Sequence, residues 1–130
     1  MIELIAKPLT ECAFSDYGQI IEARGPAELI NDDTAQKFGD LATIEADGPY
    51  ARVGVHLYHA KPRHLPQTIK LIERHPLGSQ LFMPLDGSRY LILVGRYDGP
   101  SLNQDTLRGF IAEGIGINLK AGVWHCPLFV

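Results

Sequence analysis

The segment ERHPLGSQ, residues 73–80, places a carboxylate, an imidazole and an amide around a Pro-Leu-Gly turn. Side chains on a strand alternate between its two faces, so Glu73 and His75 share one face and Arg74 takes the other. A turn at Pro-Leu-Gly returns the chain as a hairpin, which lets Gln80 join the face of Glu73 and His75. A carboxylate beside an imidazole can take up and return protons near neutral pH. The segment therefore predicts an acid–base site.

A second candidate histidine lies near the carboxy terminus, in the segment GVWHCPLF. On a strand, His125 shares a face with Val123 and Pro127, while Trp124 points to the opposite face. Taken alone, a histidine in an apolar strand is more often a core residue than a functional one. We nevertheless predict that His125 lies in one pocket with the groups of the first segment, because both segments fit one longer pattern.

That pattern resembles the two sequence motifs of the cupin superfamily. The first motif reads His-x-His, then Glu, then Gly, and its positions are occupied here by Glu73, His75, Gln80 and Gly87. The second motif runs from a Gly through Pro-x-Gly to His and Asn, and its positions are occupied by Gly114, Lys120, Gly122, His125 and Phe129. Lys120 stands in place of the proline and Phe129 in place of the asparagine.

A more specific resemblance covers nearly the whole chain. The segments LIERHPLGSQLFMPL and GVWHCPLF resemble signature segments of the ureidoglycolate lyase family, and FSDYGQIIE, LRGFIAEG and NLKAGVWH follow its order. The resemblance implies a cupin-type β-barrel, a homodimer, and cleavage of (S)-ureidoglycolate to glyoxylate and urea in allantoin degradation. Members of the family continue through a further carboxy-terminal stretch, which we expect to be missing from this chain.

The chemistry of this substrate suits the predicted residues. Ureidoglycolate is a hemiaminal, and its cleavage removes a hydroxyl proton and protonates the departing nitrogen, with no redox cofactor. The predicted catalytic groups are Glu73, His75 and His125, with either histidine as the proton acceptor and Glu73 orienting it or sharing the proton. The predicted substrate-binding groups are Gln80, Lys120, Arg52 and Tyr90. Gln80 hydrogen-bonds the carboxylate or urea end, and Lys120 and Arg52 are the candidate cations.

The chemistry requires no cofactor, but the same residues form a possible metal site. Two imidazoles, a carboxylate and an amide are a donor set for a divalent ion such as Ni²⁺, Mn²⁺ or Zn²⁺. If such an ion is bound, its predicted ligands are Glu73, His75, Gln80 and His125.

Two other functions fit the cupin pattern. One is a non-catalytic cupin-like module that binds a small carboxylate or sugar acid, suggested by His59, Leu119 and Cys126 where the family commonly has other residues. The other is a metal-dependent cupin oxygenase or isomerase, which requires stoichiometric metal.

Short strands must position the site residues. Thirteen glycines and nine prolines separate short apolar runs, which favours a mainly β fold. Strands are predicted within residues 51–60, 67–75, 79–85, 89–97, 114–120 and 122–130. One helix is predicted within 101–114, where Leu107, Phe110 and Ile111 have helical spacing and Asn103 can cap the start. The first forty residues suggest a short strand, a helical turn near 14–19 and a loop through 25–33. We therefore predict a cupin-like jelly-roll β-barrel with one or two short helices.

Length and charge bound the class of protein. The 130 residues fit a single domain, and a net charge of −3 gives no footprint for nucleic acid. No apolar run reaches the length of about 18 residues that a membrane span needs. Cys12 and Cys126 fit a reducing compartment better than a disulfide framework. We expect a cytoplasmic domain that acts on a small molecule.

Overall fold

The structure is a computed structural model that describes residues 1–130. Short strands dominate, with one single-turn helix and one 3-10 turn. In chain order the elements are β1 Lys7–Pro8, α1 Glu11–Phe14, β2 Gly18–Ile21, β3 Glu28–Ile30, β4 Ala35–Lys37, β5 Gln80–Phe82, β6 Arg89–Gly95, a 3-10 turn Gln104–Thr106, β7 Arg108–Glu113, β8 Gly116–Leu119 and β9 Trp124–His125. The predicted mainly β fold is confirmed.

Two sheets carry the fold. One has the order β1-β7-β6-β9, the second has the order β2-β8-β5, and β3 and β4 form a separate hairpin. Only β1 and β7 pair in parallel, while the other pairs are antiparallel. Two packed sheets with mostly antiparallel strands form a sandwich, the general architecture to which the jelly roll belongs. The hydrogen-bonded strands form separate sheets, so closure into one barrel stays a prediction.

The core lies between the two sheets and follows from alternation on the strands. On β6, Tyr90, Ile92 and Val94 are buried at every second position. They pack with residues of β7, α1, β2 and β8 in one cluster of buried side chains, which includes Phe14, Phe110 and Ile117. Phe14 lies edge-on to Phe110, with ring centroids 5.6 Å apart. The side chains between the two sheets thus form a single apolar core.

The predicted helix within 101–114 is wrong. Asn103 does cap a turn, because its side chain accepts a hydrogen bond from Asp105 N–H, but the turn is 3-10 and ends at Thr106. The following residues form β7, in which Phe110 and Ala112 are buried and Gly109 passes close to Ala6. Neighbouring strands on both sides supply the backbone hydrogen bonds, so the tertiary environment outweighs the helical spacing.

Two predicted strands are absent. Residues 52–62 form no backbone hydrogen bond, and within 67–75 only Glu73 makes a bridge. Alternating apolar and polar residues suit a sheet, but a strand also needs a neighbouring strand that hydrogen-bonds its backbone N–H and C=O groups. Three apolar side chains of the first segment, Val53, Val55 and Leu57, are consequently exposed.

The amino-terminal expectations hold in part. The short first strand exists as β1, and α1 begins three residues before the predicted helical turn, capped by Thr10. The loop expected through 25–33 contains β3, which pairs with β4 as a hairpin. None of the helices has the length and apolar character of a membrane-spanning helix.

Candidate active site

An isolated bridge brings the two predicted site segments together. Glu73 N–H donates to the His125 carbonyl oxygen at 2.8 Å, and His125 N–H donates back to the Glu73 carbonyl oxygen at 2.8 Å. Residues that face each other across antiparallel strands project side chains to the same face. His125 is fixed in turn by β6, where it pairs with Val94. Glu73 and His125 therefore meet although 51 residues separate them in sequence.

His75 completes a cluster of three titratable side chains. Glu73 Oε1 lies 3.5 Å from His125 Nε2 and 3.8 Å from His75 Nε2. The two imidazole centroids are 5.2 Å apart. The side chains of Glu73 and His75 are roughly half exposed, whereas His125 is buried. The cluster thus has one buried side and one side open to solvent.

The surroundings of His125 fix the form of its imidazole. Nδ1 lies 3.0 Å from the Val123 carbonyl oxygen, which can only accept, so Nδ1 carries the proton. In the neutral ring Nε2 then keeps its lone pair. Burial lowers the pKa of His125 and outweighs the Val123 carbonyl and Glu73, which favour the charged form. Nε2 is therefore a proton acceptor at neutral pH.

The buried Nε2 atom also bears on metal binding. It has no hydrogen-bond partner: Glu73 Oε1 lies 3.5 Å away, but a carboxylate oxygen and the unprotonated Nε2 both accept. One ligand atom each from Glu73, His75 and His125 lies within 4.8 Å of the other two. Two imidazoles and a carboxylate are a donor set that suits divalent transition metals. The Val123 carbonyl would orient the His125 ring behind such an ion. The residues present fit a metal.

The predicted substrate-binding residues make no side-chain hydrogen bond to this cluster. Gln80, on β5, makes no hydrogen bond to the three-residue cluster, and its Oε1 is buried without a partner. Gln80, Arg52 and Tyr90 line a neighbouring cleft of about 1190 Å³, whose walls include none of the three clustered residues. Tyr90 is buried and donates through its hydroxyl to the Ile115 carbonyl oxygen at 2.7 Å. Burial raises the pKa of Tyr90 to about 12.

Lys120 is hydrogen-bonded to the amino-terminal segment. Its ammonium donates to the Ser15 carbonyl oxygen at 2.8 Å, and its backbone N–H donates to the Tyr17 carbonyl oxygen at 2.9 Å. The structure thus brings three of the predicted groups together, places three others on a neighbouring cleft, and ties Lys120 to the amino-terminal segment.

Comparison with known proteins decides the family. Residues 1–130 match the family described as ureidoglycolate lyase. The chain belongs to the ureidoglycolate lyase family. It is 42% identical over 127 residues to a ureidoglycolate lyase of Brucella anthropi, covering 96% of this chain and 74% of that protein. A relative of the same name from Chelativorans sp. (strain BNC1) is 42% identical over 132 residues, covering 96% and 76%.

A third member of the ureidoglycolate lyase family, from Burkholderia mallei (strain NCTC 10229), shows the same range of similarity. It is 39% identical over 130 residues, covering 98% of this chain and 75% of the relative. The match therefore includes both segments that meet at the bridge between Glu73 and His125.

Sequence reasoning missed two groups that shape the site of this ureidoglycolate lyase family member. The Val123 carbonyl sets the protonation of His125, and a backbone group leaves no signal in residue types. Glu45 accepts a hydrogen bond from Ala121 N–H at 2.8 Å and so fixes the turn ahead of β9. Its distance of 76 residues from that turn hides the contact from any local pattern.

Proposed function

We propose that this protein is a carbon–nitrogen lyase that cleaves ureidoglycolate into glyoxylate and urea. The observation that carries the proposal is the match of residues 1–130 to the ureidoglycolate lyase family, with relatives near 40% identity that bear this name. The cluster of Glu73, His75 and His125 supports it, because it provides the acid and the base that the reaction needs.

The reaction is balanced by proton transfers alone. The central carbon of ureidoglycolate bears a carboxylate, a hydroxyl and a urea nitrogen. Removal of the hydroxyl proton lets the C–O bond become a carbonyl while the C–N bond breaks, and the departing nitrogen takes up a proton. No electron acceptor is needed. Each well-placed acid or base typically contributes about 10²–10⁴-fold to the rate.

The geometry supports a division of roles. His125 accepts the hydroxyl proton at Nε2, because burial and the Val123 carbonyl keep that atom unprotonated. Glu73, between the two imidazoles, orients them and shares the proton. His75, on the open side, returns a proton to the urea nitrogen. In this division each histidine has one proton-transfer role, and the Glu73 carboxylate interacts with both.

Substrate contacts come from the adjoining cleft in this proposal. Gln80 lines this cleft, and its side-chain amide hydrogen-bonds the urea group. Arg52, an exposed residue of the cleft wall, pairs with the substrate carboxylate, and Tyr90 lines the interior. Lys120 contributes only if its ammonium leaves Ser15. We take the (S) isomer of ureidoglycolate as the substrate.

A divalent ion such as Ni²⁺ could be bound in the same cluster without changing the proposed reaction. Glu73, His75 and His125 would hold it, since one ligand atom from each lies within 4.8 Å of the other two. When bound, such an ion supplies a Lewis acid for the hydroxyl or carboxylate oxygen of the substrate. The acid–base roles of the side chains do not depend on it.

We also propose that the protein works as a homodimer in the cytoplasm, within allantoin (purine) degradation. The exposed apolar side chains of residues 52–62 support the dimer, because an exposed apolar stretch marks an interaction surface.

The test is release of urea and glyoxylate from racemic ureidoglycolate by the purified protein, with and without added Ni²⁺. We expect equimolar urea and glyoxylate, with the reaction stopping after half of the racemate. A protein that binds glyoxylate or oxalate but releases no urea in either condition would instead be the non-catalytic binding module.

A further inference from the structure

The segment of residues 73–75, called the site segment below, carries a guanidinium stacked on aromatic rings on the side opposite Glu73 and His75. Arg74 Cζ lies 4.3 Å from the ring centroid of Tyr97 and 5.4 Å from that of Trp124. Both distances are within the roughly 6 Å over which a cation is attracted to an aromatic face. Trp124 directly precedes His125 on β9, so its ring takes the other face of that strand.

The interaction of Arg74 is stacking and not ion pairing. Arg24, Arg89 and Arg96 each approach a carboxylate within 4.0 Å, whereas Arg74 approaches none. It also makes no side-chain hydrogen bond. A planar guanidinium is suited to this use, because it lies flat against a ring where an ammonium cannot.

Few backbone hydrogen bonds hold the site segment in place. Residues 64–72 form no backbone hydrogen bond, and the first anchor is the bridge between Glu73 and His125. The last is the hydrogen bond of Gly122 N–H to the His75 carbonyl oxygen at 2.9 Å. Backbone hydrogen bonds along one edge hold residues 73–75 but do not prevent the segment from rotating about that edge. A side-chain contact on the opposite face restricts such a rotation.

We propose that Arg74 is a positioning residue of the candidate active site. By stacking on Tyr97 and Trp124 it holds the site segment so that Glu73 and His75 face His125. The separations of 3.5 Å and 3.8 Å at the front are short enough that a shift of 1 Å alters them substantially. The kinetic part of this inference rests on the proposed function, while its structural part does not.

The structural part is tested without any substrate. Trp124 is the only tryptophan, so its fluorescence reports on the stack directly. We expect Arg74→Met to change the emission of Trp124 and to increase hydrogen exchange at the Glu73 and His125 amides at least about tenfold. The matched control is Arg63→Met, since Arg63 Cζ likewise lies 4.6 Å from the ring centroid of Phe129. In the control both readouts should match wild type.

Steady-state kinetics distinguish a positioning residue, which affects kcat, from a substrate-binding residue, which affects KM. Because Arg74 is directed away from the catalytic face, Arg74→Met should lower kcat about 10- to 100-fold while KM stays within about twofold. Arg74→Lys keeps the charge but not the flat contact, so its kcat should lie between those of Arg74→Met and wild type. Arg63→Met should keep kcat within about twofold of wild type.

The outcomes are distinct. Unchanged Trp124 emission and unchanged amide exchange in Arg74→Met would overturn the positioning role. A rise in KM at constant kcat would also overturn it, because that result describes a substrate-binding residue. If wild type releases no urea, the proposed function fails, and the fluorescence and exchange measurements still decide the role of Arg74.

Discussion

At the scale of single residues, burial sets the chemistry of the titratable groups. His125 is buried with one nitrogen bonded to a backbone carbonyl and the other left without a partner. Glu73 and His75, a few ångströms away, are half exposed. The bridge between Glu73 and His125 therefore places a buried base beside two half-exposed polar groups, an asymmetry suited to acid–base catalysis.

Tyr90 gives the residue-scale prediction. Its pKa is raised by burial from 10.0 to about 12, so between these values the folded state keeps a proton that the unfolded state loses. The free energy of unfolding should therefore fall as pH rises from 10 to 12, by about 2–3 kcal/mol from this residue. Urea denaturation of wild type and Tyr90→Phe across this range measures the effect.

Tyr90→Phe should be less stable than wild type at pH 8 by about 1 kcal/mol, because the bond to the Ile115 carbonyl is lost. Its stability should then decline less at alkaline pH. Tyr50→Phe, at an exposed position, is the control and should follow wild type throughout. Parallel curves for wild type and Tyr90→Phe would contradict the assignment.

At the scale of elements, β8 links the two site segments, because it precedes β9 in the chain and pairs with β5, which follows the turn after His75. All four residues of β8 are buried, between β2 and β5. Gly18 of β2 lies opposite Leu119, and a Cβ atom there would overlap with the Asn118 carbonyl oxygen. A glycine is needed because backbone occupies the space.

We therefore expect Gly18→Ala to lower the free energy of unfolding by about 1–3 kcal/mol, the usual cost of overpacking. Thermal denaturation followed by circular dichroism measures the loss. Gly99→Ala is the matched control, since a Cβ at Gly99 meets nothing within 4 Å. Equal melting temperatures for the two variants would show that β2 can move away from β8 without cost.

The sequence predicted elements where a local pattern and its neighbours agree. β6 and β8 were predictable because each apolar run ends at turn residues, and β5 because it follows the Pro-Leu-Gly turn. The region of Leu107 to Ile111 was misread because its apolar spacing fits a helix as well as a strand. Only the long-range pairing of Phe110 with Ile92 decides between them, and sequence periodicity does not contain that pairing.

In the site, too, local sequence patterns predicted some features, while features that depend on long-range packing were missed. Alternation placed Glu73 and His75 on one face, and motif spacing joined them to His125. The stack of Arg74 on Tyr97 and Trp124 was not foreseen, because it depends on how the strands pack. Gln80 makes no hydrogen bond to the cluster, and this too was hidden, because a hairpin register cannot be read from residue types alone.

At the scale of the whole molecule, residues 52–62 are the feature that a single chain does not explain. Val53, Val55 and Leu57 are 71%, 95% and 69% exposed, and the backbone of this segment is unpaired. Both the apolar side chains and the free backbone groups favour contact with another chain. The proposed homodimer would satisfy them.

Sedimentation analysis of the purified protein should therefore give twice the chain mass of 14.4 kDa. Val55→Asp should shift the protein toward the monomer, because a charge replaces the most exposed apolar side chain of the segment. Leu29→Asp, on the β3–β4 hairpin, also charges an exposed apolar position and should leave the dimer intact. A wild-type monomer, or equal effects of both variants, would contradict an interface at this segment.

The most direct test of the central claim is the rate of urea release from ureidoglycolate by wild type, His125→Ala and Glu73→Gln. His125 and Glu73 lie in contact and act on the same proton, so each variant should lose about 10²–10⁴-fold in kcat. Glu73 is half exposed, so Glu73→Gln should keep the wild-type circular dichroism spectrum and serve as the folded variant. A folded variant of either residue that releases urea at the wild-type rate would contradict the account.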